Sequence, residues 1–141
     1  MMMKNYPLLA TTAFLLIVLS CKKDQKINSS ELFYSWEVKN FMSIESVAYP
    51  KNENKKILLT FDKSGTFLLS LDINHCGGNF TTGQNSQLEM ESPACTEVCC
   101  DSAFSEKLAT TISKVTSYSI EGTTLKLHVP LWGYIECELD K

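Results

Sequence analysis

One stretch of alternating residues, 66–74, constrains the fold of this chain more than any other. Its large apolar side chains recur at every second position, and a period of two residues is typical of a strand with one buried face. We therefore predict a central strand. Its inward side chains are expected to be Phe67, Leu69, Leu71 and Ile73.

The pattern breaks after this run. Asn74 and Cys76 are followed by two glycines, Gly77 and Gly78, before Phe80 resumes the apolar alternation. Because glycine adopts backbone conformations that other residues avoid, we predict a tight structural corner here, with a return strand leading away from it.

Further short apolar runs, separated by turn residues, predict more strands. One hairpin turns at Glu121-Gly122, and Pro130 ends it. The predicted strands cover residues 31–38, 46–49 (a short edge strand), 57–61, 78–82 (the return strand), 87–91, 117–120, 125–129 and 132–139.

A single helix is predicted before the last hairpin. Asp101 or Ser102 is suited to cap its start, and apolar residues then recur about every four positions, at Phe104, Leu108, Ile112 and Val115. Many short strands and one helix favour an antiparallel sheet that closes on itself. The predicted fold class is mainly β (α+β): a small antiparallel β-barrel-like sheet, with the helix covering one open end.

The first twenty residues have the features of an export leader. A short basic start precedes an apolar run at 8–19, which is too brief to span a bilayer comfortably. The run ends in Val18-Leu19-Ser20-Cys21, which resembles the lipobox of bacterial lipoprotein signal peptides. An ordinary secretory signal with a chance cysteine is the alternative.

The lipobox resemblance implies cleavage after residue 20 and lipidation of Cys21. Lys22 stands where aspartate tends to retain a lipoprotein at the inner membrane, so the expected location is the cell envelope, at the outer membrane of a double-membraned bacterium. The predicted organisation is a signal peptide over 1–20, a flexible tether over 21–31 and one folded domain over 32–141.

The order of motifs in that domain resembles the META domain family, the HslJ-like heat-shock proteins. The matching residues are Trp36 and Val38 in an early strand, Asn74, Gly78 and Phe80 at the corner, Thr96 and Cys100 before the helix, Phe104 and Leu108 on it, and Tyr118, Ile120, Gly122, Leu125 and Leu127 in the hairpin. The resemblance implies a barrel and an envelope or stress-related role. It supplies no catalytic residues.

Five cysteines remain once Cys21 is lipidated, and an exported protein is expected to pair them. Cys137 alternates with apolar residues and is assigned to the core as a free thiol. The other four, Cys76, Cys95, Cys99 and Cys100, allow three connectivities. The family pattern, with a cysteine near the corner and another at the start of the helix, favours Cys76 bonded to Cys99 or Cys100. Cys95 then takes the remaining partner.

These cysteines have two alternative uses, a zinc site and a thiol-redox pair. Zinc bound by His75, Cys76, Cys99 and Cys100 is disfavoured because adjacent cysteines do not easily share a tetrahedral ion. A thiol-redox pair is disfavoured because Cys95 and Cys99 have one spacer residue too many for C-x-x-C. No metal and no cofactor are expected.

The chain contains no arginine, and its formal net charge is −3. Nucleic-acid binding, which relies mainly on arginine, is therefore not expected. No residue pattern indicates catalysis. The predicted function is a non-enzymatic envelope lipoprotein that binds a protein partner or an apolar ligand. A second hypothesis is a carrier that holds a lipid inside the barrel, lined by Phe67, Leu69, Leu71, Leu125 and Leu127.

Overall fold

The computed structural model describes residues 29–141, and within them an antiparallel sheet curls around one core. The leader, Cys21 and the tether up to residue 28 lie outside these residues. The strands are β1 (Ser35–Ser43), β2 (Leu58–Phe61), β3 (Thr66–Ser70), β4 (His75–Thr82), β5 (Leu88–Met90), β6 (Ala94–Cys95), β7 (Ser117–Glu121), β8 (Thr124–Val129) and β9 (Gly133–Leu139). The helix is α1 (Ala103–Thr111), and 3₁₀ turns cover Ser29–Glu31, Gln84–Ser86 and Ile112–Lys114.

Hydrogen bonding orders the strands β5-β4-β3-β2-β1-β9-β8-β7, with β6 beside β4. The two ends of this order meet. The amide of Leu88 donates to the carbonyl of Thr116 at 3.0 Å, and Gln87 forms a bridge with Ser117. The sheet is therefore a nearly closed barrel, which confirms the predicted mainly β architecture.

The barrel has two rims, because antiparallel neighbours turn at alternate ends. We call one the terminal rim: it holds residues 29–34, the turns at 62–65, 83–87 and 122–123, and residues 140–141. We call the other the helix rim: it holds residues 44–52, 71–74, 91–114 and 130–132. The ends of two of these connections run back along the barrel wall, since Lys56 pairs with Asp140 at 2.8 Å and the carbonyl of Thr116 accepts from the amide of Leu88 at 3.0 Å. The two termini of the folded domain thus lie at the rim opposite to α1.

The alternation that predicted the central strand is confirmed as far as Leu71. Phe67, Leu69 and Leu71 are buried, but Ile73 is 45% exposed, so its predicted inward position is wrong. The reason is that β3 ends at Ser70, and the amide of Leu71 then donates to the carbonyl of Asn74 at 2.9 Å. Ile73 lies in the tip of that turn instead of on the inner face.

The predicted glycine corner is also corrected. The turn at 71–74 contains no glycine, and Gly77 and Gly78 lie inside β4, paired with Leu68 and Phe67. Gly78 is needed there for space. A Cβ on it would lie 2.8 Å from Cε1 of the buried Phe67 ring.

The edge strand predicted over 46–49 is wrong. These residues belong to the loop between β1 and β2, where the hydroxyl of Tyr49 donates to Glu45 at 2.8 Å and its ring meets Phe41 edge-on. A tyrosine that packs from a loop gives the same apolar signal as one in a strand. The other predicted strands each overlap a strand of the structure: 31–38, 57–61, 78–82, 87–91, 117–120, 125–129 and 132–139.

The helix begins where the capping residues predicted it. The side-chain oxygen of Ser102 accepts a hydrogen bond from the amide of Ser105 at 3.3 Å, which satisfies one of the free donors of the first turn. The predicted apolar stripe is buried at Phe104, Leu108, Ile112 and Val115. No helix within residues 29–141 is long and apolar enough to cross a bilayer.

Aromatic and charged contacts hold α1 on the helix rim. The ring of Phe104 stacks on Phe41 with centroids 4.2 Å apart. Lys107 pairs with Glu45 at 2.9 Å, and its ammonium lies 5.0 Å from the ring centre of Tyr49 and 5.5 Å from that of Trp132. The helix therefore covers this opening of the barrel, as the sequence predicted.

Candidate functional site at the helix rim

The side chain of Asn74 is the centre of a buried polar network. Its Nδ2 donates to the carbonyl of Val98 at 2.7 Å and to Oδ2 of Asp101 at 2.6 Å. Its Oδ1 accepts from the hydroxyl of Thr96 at 2.7 Å and from the amide of Val98 at 2.8 Å. The amide group thus uses its full hydrogen-bonding capacity, and it ties the turn after β3 to the segment before α1.

Two carboxylates complete this connection. Oδ1 of Asp101 accepts from the amides of Ile73 at 2.9 Å and Asn74 at 3.3 Å. Asp72 accepts from the amide of Ser102 at 2.7 Å and from the hydroxyl of Ser105 at 2.9 Å. The start of the helix and the turn after β3 therefore hold each other in place.

The pKa of Asp72 reflects these contacts. Burial acts to raise its pKa, but the hydrogen bonds from Ser102 and Ser105 together outweigh burial, and the pKa lies below its ordinary value. The carboxylate is only 8% exposed and lies beside a helix N-terminus, where negative charge is favourable.

The disulfides differ from the predicted pairing. Cys76 bonds to Cys95, and Cys99 bonds to its neighbour Cys100. The predicted bond from Cys76 to Cys99 or Cys100 is therefore wrong. The physical reason is β6, a two-residue strand that places Cys95 directly opposite Cys76 on β4. Because β6 has only two residues and directly follows Pro93, the alternation of apolar and polar residues does not predict this strand.

Among residues 29–141 the unpaired cysteine is Cys137, as its position among apolar residues predicted. It is fully buried between β1 and β8, and burial raises the pKa of its thiol far above the ordinary value. A thiol in this state is a packing residue and is not a nucleophile.

The residues considered for zinc do not form a free ligand set. Cys76, Cys99 and Cys100 are all in disulfides, and His75 is exposed. The other histidine, His128, pairs through Nε2 with the hydroxyl of Ser119 at 3.0 Å. Within residues 29–141, no three side chains of His, Cys, Asp or Glu lie close enough to share a metal ion.

A surface cleft of about 490 Å³ lies against this network, and we call it the corner cleft. Its lining combines apolar surface, sulfur and acidic groups. The residues are Leu71, Asn74, Cys95, Thr96, Val98, Cys99, Cys100, Asp101, Glu106, Ala109 and Thr110. It contains three of the four disulfide-candidate cysteines together with Asn74.

Gly78 and Phe80, the other two predicted corner residues, lie elsewhere. Both belong to β4 beyond the turn, and Phe80 packs edge-on against Phe61 with centroids 5.0 Å apart. They shape the barrel interior and do not line the corner cleft.

Sequence reasoning missed Asp72 and Asp101 as site residues. Asp72 falls on the polar side of the alternation, which predicts exposure, yet the helix start covers it. A signal was available: a helix needs acceptors at its first turn, and Asp72 directly follows Leu71, the last buried apolar residue of the alternating stretch.

Fold and site together define a class: a small antiparallel barrel with a helix over one rim and a disulfide-bonded cleft beside that helix. The chain belongs to the META domain family, whose model matches residues 30–130. Among solved structures, it is similar to a DUF4847 family protein from Bacteroides vulgatus, with a TM-score of 0.60 and 17% identity. The match covers 81% of this chain and 99% of that one, and at this identity it shows the fold alone. No curated protein matches the sequence significantly.

Proposed function

We propose that this protein is a lipid-anchored protein of the outer membrane, and that its META domain is a non-enzymatic module that binds a polypeptide partner at the corner cleft. One observation carries the proposal. The corner cleft lies at the helix rim, whereas the folded domain begins at the opposite, terminal rim. An anchor at Cys21 therefore leaves the corner cleft accessible.

The lining of the corner cleft indicates the chemistry of the partner. Leu71 and Ala109 contribute apolar surface, and Val98 is 58% exposed. Among the described residues, the lining includes two carboxylates, Asp101 and Glu106, and no lysine. A segment with an apolar side chain next to a lysine or arginine complements this surface in shape and charge.

Binding without catalysis is supported by how the polar groups of the site are used. The carboxylates of Asp72 and Asp101 and the amide of Asn74 accept or donate hydrogen bonds within the protein. Groups that are hydrogen-bonded in this way stabilise the fold, whereas a general acid or base must be able to contact a proton of the substrate.

The second hypothesis, a lipid carrier, finds less support in the interior. The side chains of Leu69, Leu125 and Leu127 are 0% exposed, so no water-sized space adjoins them inside the barrel. A filled core of this kind is the normal state of a small barrel.

A photo-crosslinking experiment in intact cells tests the proposal. A benzophenone amino acid replaces Thr110, which lines the corner cleft, or Thr123 on the terminal rim as a matched control. We expect protein adducts from position 110 and not from position 123. Glu106→Lys should lower the yield, because it reverses a charge of the lining.

Equal adducts at the two positions, or lipid adducts alone at position 110, would contradict the proposed binding site. Native mass spectrometry of the purified protein tests the carrier hypothesis. A co-purifying lipid would favour the carrier hypothesis.

A further inference from the structure

The Cys99–Cys100 disulfide differs from the Cys76–Cys95 disulfide because neither of its two residues is buried. Both of its residues are exposed at the corner cleft. In the other disulfide Cys76 is 1% exposed, although its partner Cys95 is exposed and also lines the corner cleft, and the thiol of Cys137 is fully buried. A dissolved thiol can therefore approach the Cys99–Cys100 bond from either cysteine, but the Cys76–Cys95 bond only from the side of Cys95.

The backbone at this disulfide is in an unusual conformation. Cys100 has a φ of +141°, a region that L residues with a side chain rarely adopt. A bond between adjacent cysteines closes a small ring around a single peptide unit, which restricts φ and ψ. Unfavourable backbone conformations persist when surrounding structure imposes them, and they are concentrated at functional sites.

The residues that follow the ring are bound to the turn after β3. Asp101 accepts hydrogen bonds from Ile73 and Asn74, and the amide of Ser102 donates to Asp72 at 2.7 Å. A change in φ at Cys100 moves Asp101 directly, since only one peptide unit separates them. The covalent state of the ring is thus mechanically linked to the polar network of Asn74.

We propose that Cys99–Cys100 is a thiol–disulfide exchange site, opened by a dithiol, and that its opening releases the Asp101 contacts to Ile73 and Asn74. A thiolate of the dithiol attacks one of the two sulfurs, the S–S bond breaks, and the other cysteine leaves as a thiolate that takes up a proton. The second thiol of the reductant then attacks the mixed disulfide. The protein gains two thiols, and the reductant becomes a disulfide. This inference is independent of the proposed binding function.

A redox titration with reduced and oxidised dithiothreitol tests the exchange step. The full chain is equilibrated at a series of ratios, alkylated and mapped by mass spectrometry. We expect Cys99 and Cys100 to become labelled at a ratio about tenfold or more below that needed for Cys76 and Cys95. Opening of Cys76–Cys95 first, or of both bonds together, would overturn the assignment.

Hydrogen exchange tests the coupling. At a ratio where only Cys99–Cys100 is open, the amides of Ile73 and Asn74 should exchange faster, whereas the amide of Cys137 in β9 should not change. The double variant C99S/C100S should show the same fast exchange without reductant. Unchanged exchange at Ile73 and Asn74 in the reduced wild-type protein, or faster exchange also at Cys137, would refute local release whether or not the variant folds.

Discussion

At the scale of single residues, the contact between Gly78 and Phe67 shows how closely β3 and β4 approach. A Cβ at position 78 would lie 2.8 Å from Cε1 and 2.9 Å from Cζ of the Phe67 ring. Because Phe67 is buried among core residues, the ring has little room to move. We expect Gly78→Ala to lower the free energy of unfolding by about 1–3 kcal/mol, the usual effect of overpacking. Urea denaturation measures it.

The neighbouring glycine is a matched control. A Cβ at Gly77 would meet its nearest atom, the carbonyl oxygen of Phe67, at 3.6 Å, which is an ordinary contact. Gly77→Ala should therefore leave the unfolding midpoint nearly unchanged. If both variants lose the same stability, the loss comes from strand flexibility and not from the Phe67 ring.

Asp72 provides a prediction about pH. Its folded-state pKa is lowered, so its contribution to stability is fully present above the ordinary aspartate pKa of about 3.9 and is lost as pH falls through the lower folded-state value. Asp72→Asn should unfold at lower urea than wild type at neutral pH. The difference between the two proteins should shrink as pH is lowered from about 5 to about 3. Urea midpoints measured across this range check it.

Glu53→Gln, on the exposed loop between β1 and β2, controls for a general loss of charge. If the gap between wild type and Asp72→Asn stayed constant in acid, the carboxylate of Asp72 would not be held by Ser102 and Ser105 in the way described.

Alternation predicted the burial of Phe67, Leu69 and Leu71 because it depends only on local strand geometry. It could not predict that Asp72 and Asn74 are buried, at 8% and 6% exposure. Their hydrogen-bond partners, such as Asp101 and Ser105, are about thirty residues away in the chain. A local pattern of apolar and polar residues does not show which distant residues will contact the strand. The disulfide pairing was mispredicted because it followed the family pattern, which does not show that β6 places Cys95 opposite Cys76.

At the scale of elements, α1 depends on its buried stripe. Leu108 is 0% exposed, and truncating it leaves a cavity between the helix and the barrel. We expect Leu108→Ala to lower the free energy of unfolding by about 2–5 kcal/mol, a large part of the roughly 5–15 kcal/mol typical of a domain. Thermal and urea denaturation give the value.

Thr110→Ala, two residues further along the same helix and solvent-exposed, should change stability little. An unchanged melting temperature for Leu108→Ala would mean that the stripe does not pack on the barrel.

The helix and the β7–β8 hairpin were predictable because their signals are local. Caps, a stripe of period four and a glycine turn all lie within a few residues. The strand β6 was not predictable from local signals, since Ala94 and Cys95 become a strand only through pairing with Gly77 and Cys76. The absence of a strand at 46–49 also depended on a distant contact, the packing of Tyr49 at the helix rim.

At the scale of the whole molecule, residues 29–34 and the corner cleft lie at opposite rims of the barrel. If Cys21 carries the lipid, Cys21→Ala should leave the protein unacylated and release it from membranes on fractionation. Metabolic labelling with a fatty acid and a membrane wash at high salt measure the two effects.

Ser20→Thr is the control. It keeps Cys21 and changes only the residue before the predicted cleavage position, so it shows the effect of disturbed cleavage of the leader alone. A Cys21→Ala variant that stays membrane-bound after the wash would show that something other than a lipid holds the protein there.

The order of the strands also has a consequence for how the chain assembles. β1 pairs with β9, and Trp36 lies opposite Leu139, so the first and last strands of the domain form one ladder. Loop closure over so many residues is slow, and folding rates fall as contacts become less local. Until the final strand arrives, β1 presents an open edge that can recruit strands from other chains. A chain exported before its last residues are made would therefore depend on a holding factor, and truncations within β9 would act as seeds for aggregation instead of as partly active domains.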